Sequence, residues 1–123
     1  MDLHPFFKSI IDEDQCAVVI CNLAHEIIYM NPAAISRYAK RGGAKLIGSN
    51  LLDCHNADSQ KRIQQVVGWF EESSSHNRIY TYHNDKENKD VYMVALRDED
   101  GVLIGYYEKH EYRDAEKGAF YNF

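Results

Sequence analysis

Ile27-Ile28-Tyr29-Met30-Asn31-Pro32-Ala33-Ala34 converts a β-forming run into a helix in the space of two residues. Ile and Tyr fit a pleated, half-buried surface. Asn31 is a good N-cap, and Pro32 suits the first helical position, where no amide proton is missed. Working back from this junction, Ala24-His25-Glu26 is a short link to a second apolar run, Ala17–Leu23, rich in Val and Ile. Two strands therefore precede the helix. Working forward, the helix is predicted to run to about Ala39. Lys40-Arg41-Gly42-Gly43 stops it with a basic last turn and glycines.

The rest of the order follows from the same kind of reading. Leu46, Ile47, Leu51 and Leu52 around Gly48 predict one or two helical turns against the core. Asn56 or Asp58 then caps a long helix near Asp58–Ser74. Its stripe Ile63, Val66, Val67 and Phe70 has the i, i+3, i+4, i+7 spacing, with Trp69 at the edge. Lys61, Gln64, Gln65 and Glu72 are predicted to face water. Three β-runs close the chain: Arg78–His83, Val91–Arg97 and Val102–Tyr112. The charged link Asn84–Asp90 joins the first two, and Asp100-Gly101 marks a hairpin between the last two. Two strands, helices, then three strands is an α+β arrangement, with helices closing one face of an antiparallel sheet. Ahead of it all, Leu3, Phe6, Phe7, Ile10 and Ile11 predict an amphipathic helix over residues 1–12. A helix this short needs something to pack on, either its own sheet or a second copy of the chain.

Composition excludes several classes of function. The 123 residues fit one domain, able to bury about 65% of its unfolded surface. Apolar residues make up 45% and charged residues 27%, with a net charge of −5 from 14 basic and 19 acidic side chains. There is no basic stripe interleaved with aromatics, which argues against nucleic-acid binding. No apolar run approaches the roughly 20 residues needed to cross a bilayer, and no signal peptide opens the chain, so a cytoplasmic location is expected. Cys16, Cys21 and Cys54 are an odd count without a framework, which argues against a disulfide-stapled secreted domain. Cys16 and Cys21 stand on opposite faces of one predicted strand, so they cannot share a metal.

Three stretches resemble PAS domains. They are the Ile27–Ala34 junction, Leu46-Ile47-Gly48 followed by Asp53-Cys54-His55 and Ser59, and Ala95–Gly101 followed by Ile104-Gly105. The Cys-His pair with a Ser four residues on is closest to a bacterial subgroup often found beside hemerythrin-like domains. The resemblance covers roughly residues 13–114, leaving 1–12 as the N-terminal helix and 115–123 as a tail. It implies a five-stranded antiparallel sheet with the first and last strands adjacent at its centre. It also implies a sensory or interaction module in signal transduction, without catalytic activity. With the chain ending eleven residues beyond Tyr112, the signal is expected to leave through a downstream protein in trans.

Matching the last hairpin to the family pattern places Met93, Ala95, Leu103, Gly105 and Tyr107 on the inner face, across from Val19 and Cys21. Cys54 and His55 at the mouth, with Val66 and Phe70 on the long helix, complete the expected ligand pocket. Gly105, lacking a side chain, is read as leaving room for a ligand or a helix. The outer face then shows Tyr92, Val94, Ile104 and Tyr106. An apolar face of that size should not remain wet. Together with Leu3, Phe6, Phe7 and Ile10 it predicts a homodimer interface.

Specific chemistry is weaker. His55 as a haem ligand is the alternative reading, set against an imidazole that bonds local backbone while Cys54 packs. In haem-binding relatives the iron ligand commonly lies within the long helix, and residues 58–74 contain no His. Flavin photoadduct chemistry needs a Cys directly after Gly-x-Asn, and Gly48-Ser49-Asn50 is followed by Leu51. A Cys54–His55 nucleophile lacks a third group to orient it. His25-Glu26 and Asp98-Glu99-Asp100 are read as turns rather than metal sites. A ligand-free dimerisation module is the remaining alternative.

Overall fold

A computed structural model describes all 123 residues. Helix α1 spans His4–Glu13, β1 Val19–Asn22, β2 Ile27–Met30 and α2 Pro32–Arg37. Three short 3₁₀ turns, Ala39–Arg41, Gly43–Leu46 and Leu51–Cys54, lead to α3, Ala57–Glu72. Strands β3 Arg78–Asn84, β4 Lys89–Arg97 and β5 Leu103–Tyr112 complete the chain. All pairings are antiparallel, in the order β2-β1-β5-β4-β3, so the first and last strands lie side by side at the centre. The helices roof one face of this sheet. Beneath them Phe70, Ala34, Cys21 and Met30 are at most 2% exposed.

The Asn31-Pro32 junction carries more than a cap. Asn31 is fully buried, and its Oδ1 accepts from the backbone N–H of Val18 at 2.8 Å and of Ala34 at 2.9 Å. Its Nδ2 donates to the carbonyls of Ile11, Cys16 and, at longer range, Asp14. One side chain therefore ties the end of α1, the lead-in to β1 and the start of α2 together. At the far end of the roof, Arg97 donates to the carbonyls of Phe70 and Ser73, which the end of α3 leaves without helical partners, and at longer range to that of His76 beyond it.

Strand parity in β5 differs from the expectation. Leu96 faces Gly105 and Arg97 faces Leu103, so Ile104 is one extra residue, a β-bulge. Upstream of it Leu103 faces the core with Met93 and Ala95. Past it the alternation is reset. Tyr106 is 3% exposed in the core, paired with Ala95 and Cys21, whereas Tyr107 pairs with Val94 and Ile20 on the outer face. The assignments of Tyr106 to the outer face and Tyr107 to the inner face are therefore corrected. Gly105 is also not a vacancy over the core. A Cβ there would stand 2.2 Å from the Cys21 carbonyl oxygen, so the glycine lets β5 press against the β1 backbone.

The outer face is less bare than its sequence implies. Arg78 lies over the Tyr92 ring at 4.0 Å, Arg113 donates to the Tyr92 hydroxyl, and Tyr80 packs beside it. Ile104 remains 52% exposed. Helix α1 does not cover that face within one chain. Leu3, Phe6, Phe7 and Ile10 are 47–71% exposed, and no residue of α1 is buried. The helix is held instead at its C-terminal end, where the Tyr29 hydroxyl donates to Asp12 and Lys8 pairs with Asp12 at 2.6 Å. Beyond β5 the tail has no regular structure, and Phe120, Tyr121 and Phe123 are exposed.

Candidate functional site

Between the sheet and its roof lies a cavity of about 150 Å³. Its sheet side is built by Val19 and Cys21 of β1, Ile27 and Met30 of β2, Met93 of β4, and Tyr106, Glu108 and His110 of β5. The roof side is built by Tyr38, Arg41, Leu46 and Leu51 from the turns, Cys54 and His55 before α3, and Ile63 of α3. The strand residues reach it because alternate positions of a strand share a face. The bulge at Ile104 decides which alternate set that is. The volume matches that of an apolar protein cavity known to admit a benzene ring. Tyr38, His55, Ile63, Met93 and Glu108 also line an open groove of about 780 Å³ between α3 and β3, so the two spaces share a wall.

The polar groups on the wall have partners of their own. The Tyr106 hydroxyl lies 2.8 Å from His25 Nδ1. His25 sits at φ +63°, the left-handed bend that turns β1 into β2. The Cys21 thiol lies against the Tyr106 hydroxyl; burial pushes it up to about 11, with that hydroxyl opposing the rise. Burial also raises Tyr106, so both remain neutral and protonated at pH 7. His110 Nε2 lies 3.0 Å from Glu108 Oε1, with the imidazole almost wholly buried. Tyr38 is raised by burial first, then by the Glu108 carboxylate. His55 Nδ1 lies 2.9 Å from the Leu51 carbonyl oxygen. Only an N–H can serve that acceptor, which leaves Nε2 as the basic nitrogen.

Of the residues the sequence singled out for the pocket, Val19, Cys21, Cys54, His55 and Met93 line the cavity. Val66 lines the outer groove. Phe70, Ala95 and Leu103 belong to the core without facing the cavity. Gly105 and Tyr107 are elsewhere, as described above. Tyr38, Arg41, Glu108 and His110 were not anticipated. Glu108 and His110 follow from the correct parity of β5, since both share the Tyr106 face. Tyr38 and Arg41 arrive through 3₁₀ turns, which carry no repeating apolar signal. The cavity is too small for a porphyrin, which would far exceed one aromatic ring, so haem does not fit it in this form.

No family model matches the sequence, and no curated protein is similar enough to it in sequence to match. Solved structures do match. The PAS domain of a Colwellia psychrerythraea protein superposes with a TM-score of 0.65 at 15% identity, covering 89% of this chain and 96% of that one. The PAS domain of Bordetella pertussis BvgS gives 0.61 at 11% identity, covering 95% and 90%. The Aer2 receptor of Vibrio cholerae, described as a dual PAS-heme oxygen sensor, gives 0.54 at 17% identity, covering 76% and 90%. At these identities the likeness is one of architecture, and that architecture is the five-stranded sheet and roof described above: the chain has the PAS fold.

Proposed function

We propose that the chain is a non-catalytic sensory and interaction module that takes a small molecule into the cavity under α3 and acts as a homodimer. The observation that carries the reading is the cavity itself, lined mainly by apolar side chains and bordered by an open groove. An interior packed to ordinary density leaves few voids of this size. A ligand that fills it binds the folded state alone and raises its stability by mass action. The test is a titration with toluene followed by side-chain NMR shifts. Shifts confined to the cavity lining, lost in Ile63→Trp with the fold retained, support the reading. No shift in a folded protein refutes it and leaves a module of pure protein association.

The dimer rests on a different feature. Four large apolar side chains stand along one stripe of α1, and the helix is pinned by Asp12 and Asn31 so that it cannot turn the stripe inward. A second copy, through α1 and the free outer face near Val94 and Ile104, covers it. Sedimentation of the full chain at micromolar concentration is expected to give a dimer, and Phe6→Glu/Ile10→Glu a monomer. An unchanged dimer in the double variant removes α1 from the interface. A downstream signalling protein is then recognised by the assembled pair.

A further inference from the structure

Resting on the ligand-binding reading above, we propose that the occupant is a small monocarboxylate with an apolar body about one ring in size, its carboxylate held by Arg41, which lines the cavity from its solvent-exposed edge. Three observations carry this. The first is volume: about 150 Å³ admits a single ring or an equivalent branched chain, and little else.

The second is the state of the inner wall. Tyr106 is occupied by His25, Cys21 lies against Tyr106, and no buried side-chain nitrogen or oxygen is left without a hydrogen bond. A polar atom carried deep into the cavity would give up its water and find no free partner, a loss of the kind that apolar groups avoid. The part of the ligand inside is therefore hydrocarbon.

The third is charge at that edge. Arg37 is engaged by Glu87, and Glu108 by His110. Arg41 lines the cavity and has neither an ion pair nor a side-chain hydrogen bond. Its planar fork matches a carboxylate in two parallel bonds. Glu108 is the opposing group, and it would favour a cationic head instead. Glu108 already has the His110 imidazole 3.0 Å from its Oε1, whereas the Arg41 guanidinium is spent on nothing.

The test is a set of four probes of one shape: phenylacetate, phenylacetamide, 2-phenylethylamine and toluene, titrated into the full chain and into Arg41→Gln. Phenylacetate is expected to bind about tenfold or more tightly than phenylacetamide, the scale of a charge-assisted bond. In Arg41→Gln that ratio is expected to fall to about one. Phenylacetamide or 2-phenylethylamine binding as tightly as phenylacetate, with toluene also bound, overturns the head-group assignment and leaves the cavity reading standing. A preference for the acid that survives Arg41→Gln overturns the role of Arg41. Failure of all four, toluene included, overturns the cavity reading together with this one.

Discussion

At the scale of single residues, Asn31 and Gly105 show how much one position can determine. Asn31 was legible as a helix start, because Asn-Pro after a β-run has that meaning in any fold. Its bonds to Ile11, Cys16 and Val18 were not legible, since they depend on where three separate segments meet. Asn31→Ala is expected to cost about 3 kcal/mol in urea unfolding, leaving two buried N–H donors and the carbonyls they share space with unserved. Asn31→Asp keeps both acceptor bonds but turns a carboxylate oxygen toward the carbonyls of Ile11 and Cys16. It is expected to restore less than half of that loss. From sequence alone Gly105 reads as room for a ligand or a helix, whereas in the fold it marks a close approach of two central strands. Gly105→Ala is expected to cost about 3 kcal/mol by the same measurement, because the atom it meets is backbone and cannot swing aside. A loss under 1 kcal/mol would show that β1 and β5 slide past one another freely.

At the scale of elements, the sequence located all five strands and all three α-helices within a few residues. Apolar spacing, caps and turn signals are local, and the fold keeps them. Parity in β5 was not local. Its run is apolar on both faces, so nothing between Val102 and Tyr112 says which residue is the extra one at the bulge. The error moved Tyr106 and Tyr107 to the wrong sides and hid Glu108 and His110 from the expected pocket. The turns of the roof are tied to the β1–β2 hairpin through backbone bonds such as Leu51 N–H to the His25 carbonyl, and the end of α3 is anchored by Arg97. Besides the helix-end carbonyls of Phe70 and Ser73 and that of His76, it reaches Asn77 at 2.6 Å and the Gly101 carbonyl at 3.1 Å. Arg97→Ala is expected to lower stability by about 2 kcal/mol. Arg97→Lys is expected to recover little of it, since a single ammonium cannot span acceptors on both sides of the plane. Full recovery by Lys in thermal unfolding would contradict that geometry.

At the scale of the whole molecule, surface carboxylates set the response to acid. Glu87 is held down to about 2, first by its bond from Arg37, and Asp90 likewise to about 2, first by Arg113 and then by His83. A carboxylate whose folded value lies below its unfolded one stabilises the fold fully above the unfolded value. That contribution is lost as pH falls toward the folded value. The melting temperature is therefore expected to decline from about pH 5 to about pH 2. Glu87→Gln and Asp90→Asn should each flatten the decline. An acid limb of the same steepness in both variants would place the sensitivity elsewhere. These pairs are exposed, so each share is modest and shrinks with salt.

The guanidinium at the end of α3 has a mechanical corollary. At its other end the helix is held by Gln60, whose amide donates to the Leu52 and His55 carbonyls. The turn those partners occupy is itself tied to the sheet just upstream, where the Leu51 N–H donates to the His25 carbonyl at 2.7 Å and Asn50 bridges to Glu26. A door with a heavy hinge on one jamb and a light latch on the other opens at the latch. A guest slightly larger than the chamber is thus accommodated by shifting Leu52–Gln60, while Leu51 and the stretch around Phe70 and Ser73 stay put. Amide exchange is expected to run faster over the first turns of α3 than the last, and to slow there first when a guest is seated.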